Sequence, residues 1–180
     1  MIYTSKEVRN KYLDYYNINK AIANKEIYKI DHGVYSDEEH PNMLVVACLK
    51  HVNAIITLNS AFYFYGLTNK EPEKVYLATT RNSDKINDSY VYQMSMEKKL
   101  LNIGKTQFII DGKVINIYDK ERLLIELVRK KWLLPQNYYR KVITNYRKIS
   151  SELDMKKLEE YIPNFYNGEH ILKRIINEIF

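Results

Sequence analysis

The 180-residue sequence has one cysteine, Cys48. A single thiol excludes an internal disulfide and suits a reducing cytosol. It also leaves little with which to hold a metal. Cys48 and His51 make a Cys-x-x-His pair, but a site needs more ligands, and His32, His40 and His170 are scattered. Cys48 reads as a buried structural residue, and neither metal nor cofactor is expected. Long apolar runs are missing as well. The longest uncharged stretch, residues 52–69, contains Asn53, Thr57, Asn59, Ser60 and Gly66. It divides into strand-like and helix-like halves and reads as core, since a membrane span needs roughly twenty mostly apolar residues. The opening MIYTSKEVRN is charged from Lys6 and has no apolar run, so it does not read as a secretory leader. A cytoplasmic protein with no membrane association is expected.

Glycine is scarce, and none of the five glycines precedes a serine. The Gly-Ser word that a nucleotidyltransferase wants before its metal-binding aspartates is therefore lacking. Gly104-Lys105-Thr106 looks like the tail of a P-loop, but the glycine required five residues earlier is Lys99, and Thr106 begins a strand. Asp84, Asp88 and Asp111 lie in polar turns, where Asp serves the backbone. No spacing of Ser, Cys or His supports a nucleophile with its base. The chain reads as a non-enzyme, with no catalytic residue.

The composition that remains, 46% hydrophobic and 28% charged, is that of a globular protein with one good core or two small ones. Seventeen tyrosines and few alanines suit a Lys/Asn/Ile-rich chain of low-GC codon usage. The net charge of +6 is uneven. Residues 120–150 hold nine Lys/Arg against Glu121 and Glu126, a local excess of +7. Arg129, Lys130, Lys131, Arg140, Lys141, Arg147 and Lys148 form either a solvated helical face or a second surface for nucleic acid or an acidic partner.

The periodicity predicts an α+β chain. Thr4 or Ser5 can cap a first helix with Val8, Tyr12 and Leu13, joined by Tyr15 or Tyr16, on its inner face. Asn17 breaks that helix and caps the next, where Ile18, Ala21 and Ile22 point inward and Asn19, Lys20, Ala23 and Asn24 outward. Residues 27–30 and 34–36 read as strands around Asp31-His32-Gly33, where Gly33 supplies the positive φ of a tight hairpin. The acidic residues 37–40 and Pro41 mark a boundary, giving domains of 1–40 and 41–180. Beyond it come helices at 42–51 and from Asn59 to Gly66, strands at 74–80 and 90–95, and a helical turn at 96–102. A hairpin follows, 106–110 with 113–118 about Asp111-Gly112. Asp119 caps a helix striped with Leu123, Leu124, Leu127 and Val128, and further helices lie at 135–148, 154–161 and 168–179.

The first segment has the order of a small, truncated winged helix-turn-helix head. The rest is a mixed body of helices and antiparallel sheet with C-terminal helices. Asn and Lys are donors that reach base edges, and Asn17, Asn19, Lys20, Asn24 and Lys25 lie on or beside the outward helix face. Lys29 and His32 sit on the wing. Thr4, Ser5 and Lys6 open the first helix, where phosphate contacts are common.

Four words run in order: KIDHGVY at 29–35, LNSAFYFYGL at 58–67, KVYLA at 74–78 and VINIYDKERLLIEL at 114–127. In this they resemble the AbiEi-type antitoxin family of bacterial type IV toxin–antitoxin, or abortive-infection, phage-defence systems. Coverage runs from about Thr4 to Leu127. The resemblance implies a winged-helix head that binds operator DNA upstream of its own gene and represses transcription. It implies a body that counteracts a nucleotidyltransferase-like toxin without forming a stable complex. The basic segment then stands available for RNA, and two copies on repeated half-sites are expected. A module that neutralises its toxin by direct binding, or a solitary winged-helix regulator, is the alternative. Two departures stand out. Family heads carry another helix before the one that starts at Thr/Ser, whereas only three residues precede Thr4, so a helix from the body or from a second copy would have to cover the head. The family also often has Asp where Glu126 stands.

Overall fold

The computed structural model describes residues 1–180 and is α+β, with a three-stranded and a five-stranded sheet and nine α-helices. It comprises two compact units, Met1–Ala54 with Gln107–Asn116, and Ile55–Thr106 with Ile117–Phe180. The boundary expected at residue 40 falls inside the first unit. No helix is long and apolar enough to cross a membrane.

In the first unit the chain runs β1 (Ile2–Thr4), α1 (Ser5–Tyr12), α2 (Tyr15–Ala23), β2 (Tyr28–Asp31), β3 (Val34–Ser36), α3 (Met43–Lys50). The strands pair antiparallel in the order β1-β3-β2. β1 is absent from the sequence reading because three residues show too little alternation to announce a strand. It pairs Ile2 with Ser36 and Thr4 with Val34. Thr4 then starts α1 through a capping box: its hydroxyl accepts from Glu7 N, and Glu7 Oε2 accepts from Thr4 N at 2.7 Å. Such a cap stabilises by about 1 kcal/mol.

Two apolar clusters hold this unit together. Val8, Ile18, Ala21 and Ile27 join α1, α2 and the start of the hairpin. Ile2, Val34, Val45 and Val46 join the sheet to α3, with Ile110 packed against them. α3 thus covers one face of the sheet. Asn116 of the 107–116 segment donates to the carbonyl of Val52 at 3.1 Å.

The second unit is built on β4 (Ile55–Ile56), α4 (Leu58–Phe64), β5 (Val75–Thr80), β6 (Val91–Met96) and α5 (Lys98–Leu101). A hairpin of β7 (Lys105–Ile110) and β8 (Lys113–Tyr118) follows, of which Gln107–Asn116 belongs to the first unit. Then come α6 (Lys120–Arg129), α7 (Gln136–Lys148), α8 (Met155–Tyr161) and α9 (Gly168–Ile179). The sheet order is β6-β5-β4-β8-β7. The sheet is not antiparallel as expected: β4 pairs antiparallel with β5, but β5–β6 and β4–β8 are parallel. Residues 81–90 return the chain between β5 and β6 without a helix, so helical periodicity gave no sign of the crossover. Gln93 holds that return: it accepts from Ile86 N at 2.9 Å and donates to Thr79 Oγ1 at 2.9 Å and to the Asp84 carbonyl at 3.0 Å.

α6 is the central helix of this unit, buried from Glu121 to Val128. Asp119 caps it as expected, accepting from Arg122 N at 2.8 Å. Arg122 is fully buried. Its guanidinium donates to Glu126 Oε1 at 2.8 Å and to the carbonyls of Leu100 and Ile103 at 2.8 and 3.0 Å. It lies over the rings of Tyr118 and Phe165. Gly104 is the residue that lets it in, since a Cβ there would stand 2.4 Å from Arg122 Cβ.

Candidate nucleic-acid interface

α1 and α2 are joined by two residues. Leu13 turns the chain at φ 69°, and Asp14 caps α2. Asn17 is therefore inside the helix, and its expected capping role belongs to Asp14. The Asp14 carboxylate accepts from Asn17 N at 2.8 Å and from Asn17 Nδ2 at 3.3 Å, so Asn17 is half-buried and already engaged. The inner face also differs from expectation. Val8 is buried, but Leu13 is 83% exposed, and Tyr15 and Tyr16 are exposed too. The cause is the turn: moving the helix start from residue 17 to 15 rotates both tyrosines outward.

The outward face of α2 carries Asn19, Lys20, Ala23 and Asn24, all exposed, opposite buried Ile18 and Ala21. Asn24 ends the helix and donates to Glu26 Oε1 at 3.1 Å. The chain leaves through a Schellman motif, with Lys25 N bonded to Ile22 O and Glu26 N to Ala21 O. Lys25 holds the left-handed position, φ 58°, normally given to glycine. It projects an exposed ammonium from the end of α2.

The hairpin meets the start of α1. Ser5 N donates to the Gly33 carbonyl at 2.9 Å, and Gly33 turns at φ 78°. This brings half-buried Ser5 beside the turn that carries exposed His32, while Lys6 and Lys29 are exposed. Residues passed over by the sequence reading add to this surface. Arg9 lies over the Tyr15 ring and bonds its hydroxyl, and Lys11 lies over Tyr3 and Tyr12. Their signal was proximity to aromatic residues in the sequence, Tyr12 directly after Lys11 and Tyr15 six residues after Arg9.

The first unit holds eight Lys/Arg and eight Asp/Glu, so it has no net charge. The acids are largely engaged inside it. Glu7 serves the cap and pairs with Lys113, and these bonds pull its carboxyl down to about 2. Asp14 caps α2, and Asp31 pairs with Lys50 at 2.9 Å. Lys6, Lys20, Lys25 and Lys29 have no ion-pair partner. Locally, then, unpaired cations sit on the helix face and hairpin of a neutral unit.

The second expected surface is smaller than its charge count. Arg122 is interior. Arg129 donates to buried Glu126 at 2.8 Å and lies over Phe165. Lys131 sits over Tyr139 and 3.7 Å from Glu178, and Lys120 pairs with Glu152 at 2.6 Å. Lys130 is half-exposed. What remains is one stripe on α7, where Arg140, Lys141, Arg147 and Lys148 are all exposed opposite buried Tyr139, Val142, Ile143 and Tyr146. Lys141 bonds Asn69, and Lys148 bonds Asn145. Elsewhere, burial pushes the Cys48 thiol up to about 12, which keeps it protonated and unreactive.

No protein-family model matches this chain. No curated protein matches it either.

Proposed function

We propose that this protein is a DNA-binding antitoxin and transcriptional autorepressor whose first unit is a winged helix-turn-helix. The observation that carries the DNA-binding part is topological. The order β1-α1-α2-β2-β3 with strands arranged β1-β3-β2 supports reading α2 as the second helix of a helix-turn-helix and the β2–β3 hairpin as its wing. α3 covers this sheet through Val45 and Val46, packed on Ile2 and Val34. The antitoxin part rests on the four sequence words shared with the AbiEi-type family, and the opposed toxin would be nucleotidyltransferase-like.

In this reading α2 enters the major groove by its exposed face. Asn19 and Lys20 address base edges, while Ser5, Lys6, Lys29 and His32 meet phosphates. Arg9, Lys11, Tyr15 and Tyr16 extend that set at the front of α2. Repression follows from occupying the promoter. One head offers a footprint below the roughly 1,000 Å² of a full specific interface, so two copies act on repeated half-sites. A second reading, a protein-interaction module that binds its toxin directly, is favoured by one observation: the unit has no net charge, whereas nucleic-acid readers are usually basic.

Fluorescence anisotropy distinguishes the two. The DNA upstream of the gene is titrated against a shuffled duplex at low and near-physiological salt, with the wild type and with Asn19→Ala/Lys20→Ala. Neither of these side chains is engaged inside the unit, so the variant keeps its fold. Sequence-selective binding that the double variant loses supports the operator reader. Equal binding of both duplexes, unchanged in the variant, rejects it.

A further inference from the structure

The second unit contains a cavity of about 700 Å³ that the reading above does not use. This lies within the 300–1,000 Å³ of ordinary small-ligand sites. Its wall joins the start of α4, the loop between α4 and β5, the β5–β6 edge of the sheet and the segment leading into α7.

Three properties of the lining restrict what it holds. The first is aromatic. Tyr76 and Tyr92 stand side by side on the parallel pair β5–β6, with ring centroids 4.8 Å apart and planes inclined by 32°. Tyr92 is 43% exposed on the outermost strand, so it offers a ring to something flat. The second is polar. Only three buried side-chain polar atoms in the protein lack a hydrogen-bond partner, and two of them, Asn59 Oδ1 and the Tyr138 hydroxyl, belong to residues of this wall. Thr68 stands beside Tyr138, and Asn59 beside Tyr76, without completing these bonds. Burial pushes the Tyr138 phenol up to about 12, so it stays a donor at neutral pH. Both atoms are closed off by their neighbours, so a ligand meets this acceptor and this donor only once the two side chains turn. Buried bonds left unmade are costly, and a bound ligand is one way in which such groups are satisfied. The third is charge. Lys70 and Lys141 are balanced by Glu71 and Glu73, so the lining offers no net attraction to a polyanion.

The backbone at the cavity is also held away from its ordinary conformation. Leu58, buried at the start of α4 and part of the wall, has φ 41°. Non-glycine residues in that region cost energy and gather at ligand sites.

We propose that this cavity binds a single nucleobase, stacked on Tyr92 and read along its hydrogen-bonding edge by Asn59 and Tyr138. An edge that both donates and accepts matches the unmet pair, and a flat ring matches the exposed tyrosine. A purely apolar ring would leave both polar atoms unmet. The base can arrive as a nucleoside or its monophosphate, or as an unpaired base of a single strand, since both present the same chemistry.

The test uses the full chain. The only tryptophan, Trp132, is 76% exposed and directly precedes the wall residues Leu133 and Leu134, so its emission reports occupancy. The four ribonucleosides, their 5′-monophosphates, short single-stranded homo-oligomers and naphthalene are titrated, with calorimetry as a second readout. Tyr92→Ala should weaken binding by about tenfold or more, the usual loss when a stacking ring is removed. Tyr138→Phe separates a ligand role from a structural one. Removing an unpaired buried hydroxyl should leave the thermal midpoint unchanged or higher, while nucleobase affinity falls. Binding of nucleosides that both variants weaken supports the proposal with a soluble ligand. Binding of oligomers alone, weakened by both variants, supports it with a strand as the source. No binding by any probe, binding that Tyr92→Ala does not weaken, a Tyr138→Phe protein with undiminished affinity, or naphthalene bound as well as the nucleosides would overturn it.

Discussion

Glu7 serves several partners at once. It closes the capping box with Thr4 and pairs with Lys113, and these bonds hold its carboxyl near 2 instead of the ordinary 4.5. The folded state thus favours the carboxylate. Its stabilisation is present above the ordinary carboxylate range and is lost as pH falls toward 2. Urea unfolding across that interval should show a gap between wild type and Glu7→Gln that narrows as the solution is acidified. Parallel profiles would mean the bonds add nothing. Arg122 is the opposite kind of ionic residue, a wholly buried cation whose neighbours are a carboxylate, two carbonyls and two rings. Buried ion pairs contribute little net stability, yet losing one partner is costly, so Arg122 and Glu126 act as an obligatory pair that fixes α6 among its neighbours. In the sequence both counted toward a surface charge tally. Nothing in residue type distinguishes an arginine that closes a core from one that faces solvent.

Among the elements, the turn between α1 and α2 departs furthest from backbone preference. Leu13 sits at φ 69°, ψ −47° with its side chain in solvent, so the strained conformation is offset by no packing. Leu13→Gly should raise stability by about 1 kcal/mol, the strain relieved less the added freedom of the unfolded chain. A lowered denaturation midpoint would show that the leucine has a contact in solution. The elements that announced themselves in the sequence have strong local chemistry. The Asp111-Gly112 hairpin, the Asp119 cap and the helices α7, α8 and α9 lie within a residue or two of expectation. What remained hidden depends on partners distant in sequence. β1 exists because β3 gives it a neighbour, and the direction of β5 against β6 is set by a loop with no periodicity. The outward face of α2 was legible from Ile18 and Ala21. Tyr15 and Tyr16 were not, because their orientation depends on which of two polar residues starts the helix.

At the scale of the molecule, charge and the proposed reading head are separated. The whole excess of +6 belongs to the second unit, and its most exposed part is the α7 stripe. Retention on a polyanionic matrix at neutral pH should therefore fall more when Arg140, Lys141, Arg147 and Lys148 become Ala than when Lys20, Lys25 and Lys29 do. The reverse order would place the general affinity for polyanions in the first unit. Such non-specific attraction falls with salt and carries no sequence information, so it is measured apart from operator choice. The discontinuity of the first unit carries a further consequence. Its sheet and three helices are translated first, but Ile110 and Lys113, which pack against and pair with them, are made only after the first stretch of the second unit. A nascent chain ending at Ala54 is an unfinished unit. The first unit therefore cannot be completed on the ribosome before residues 55–106 have been synthesised, and a messenger truncated between its two segments would yield only an unfinished unit.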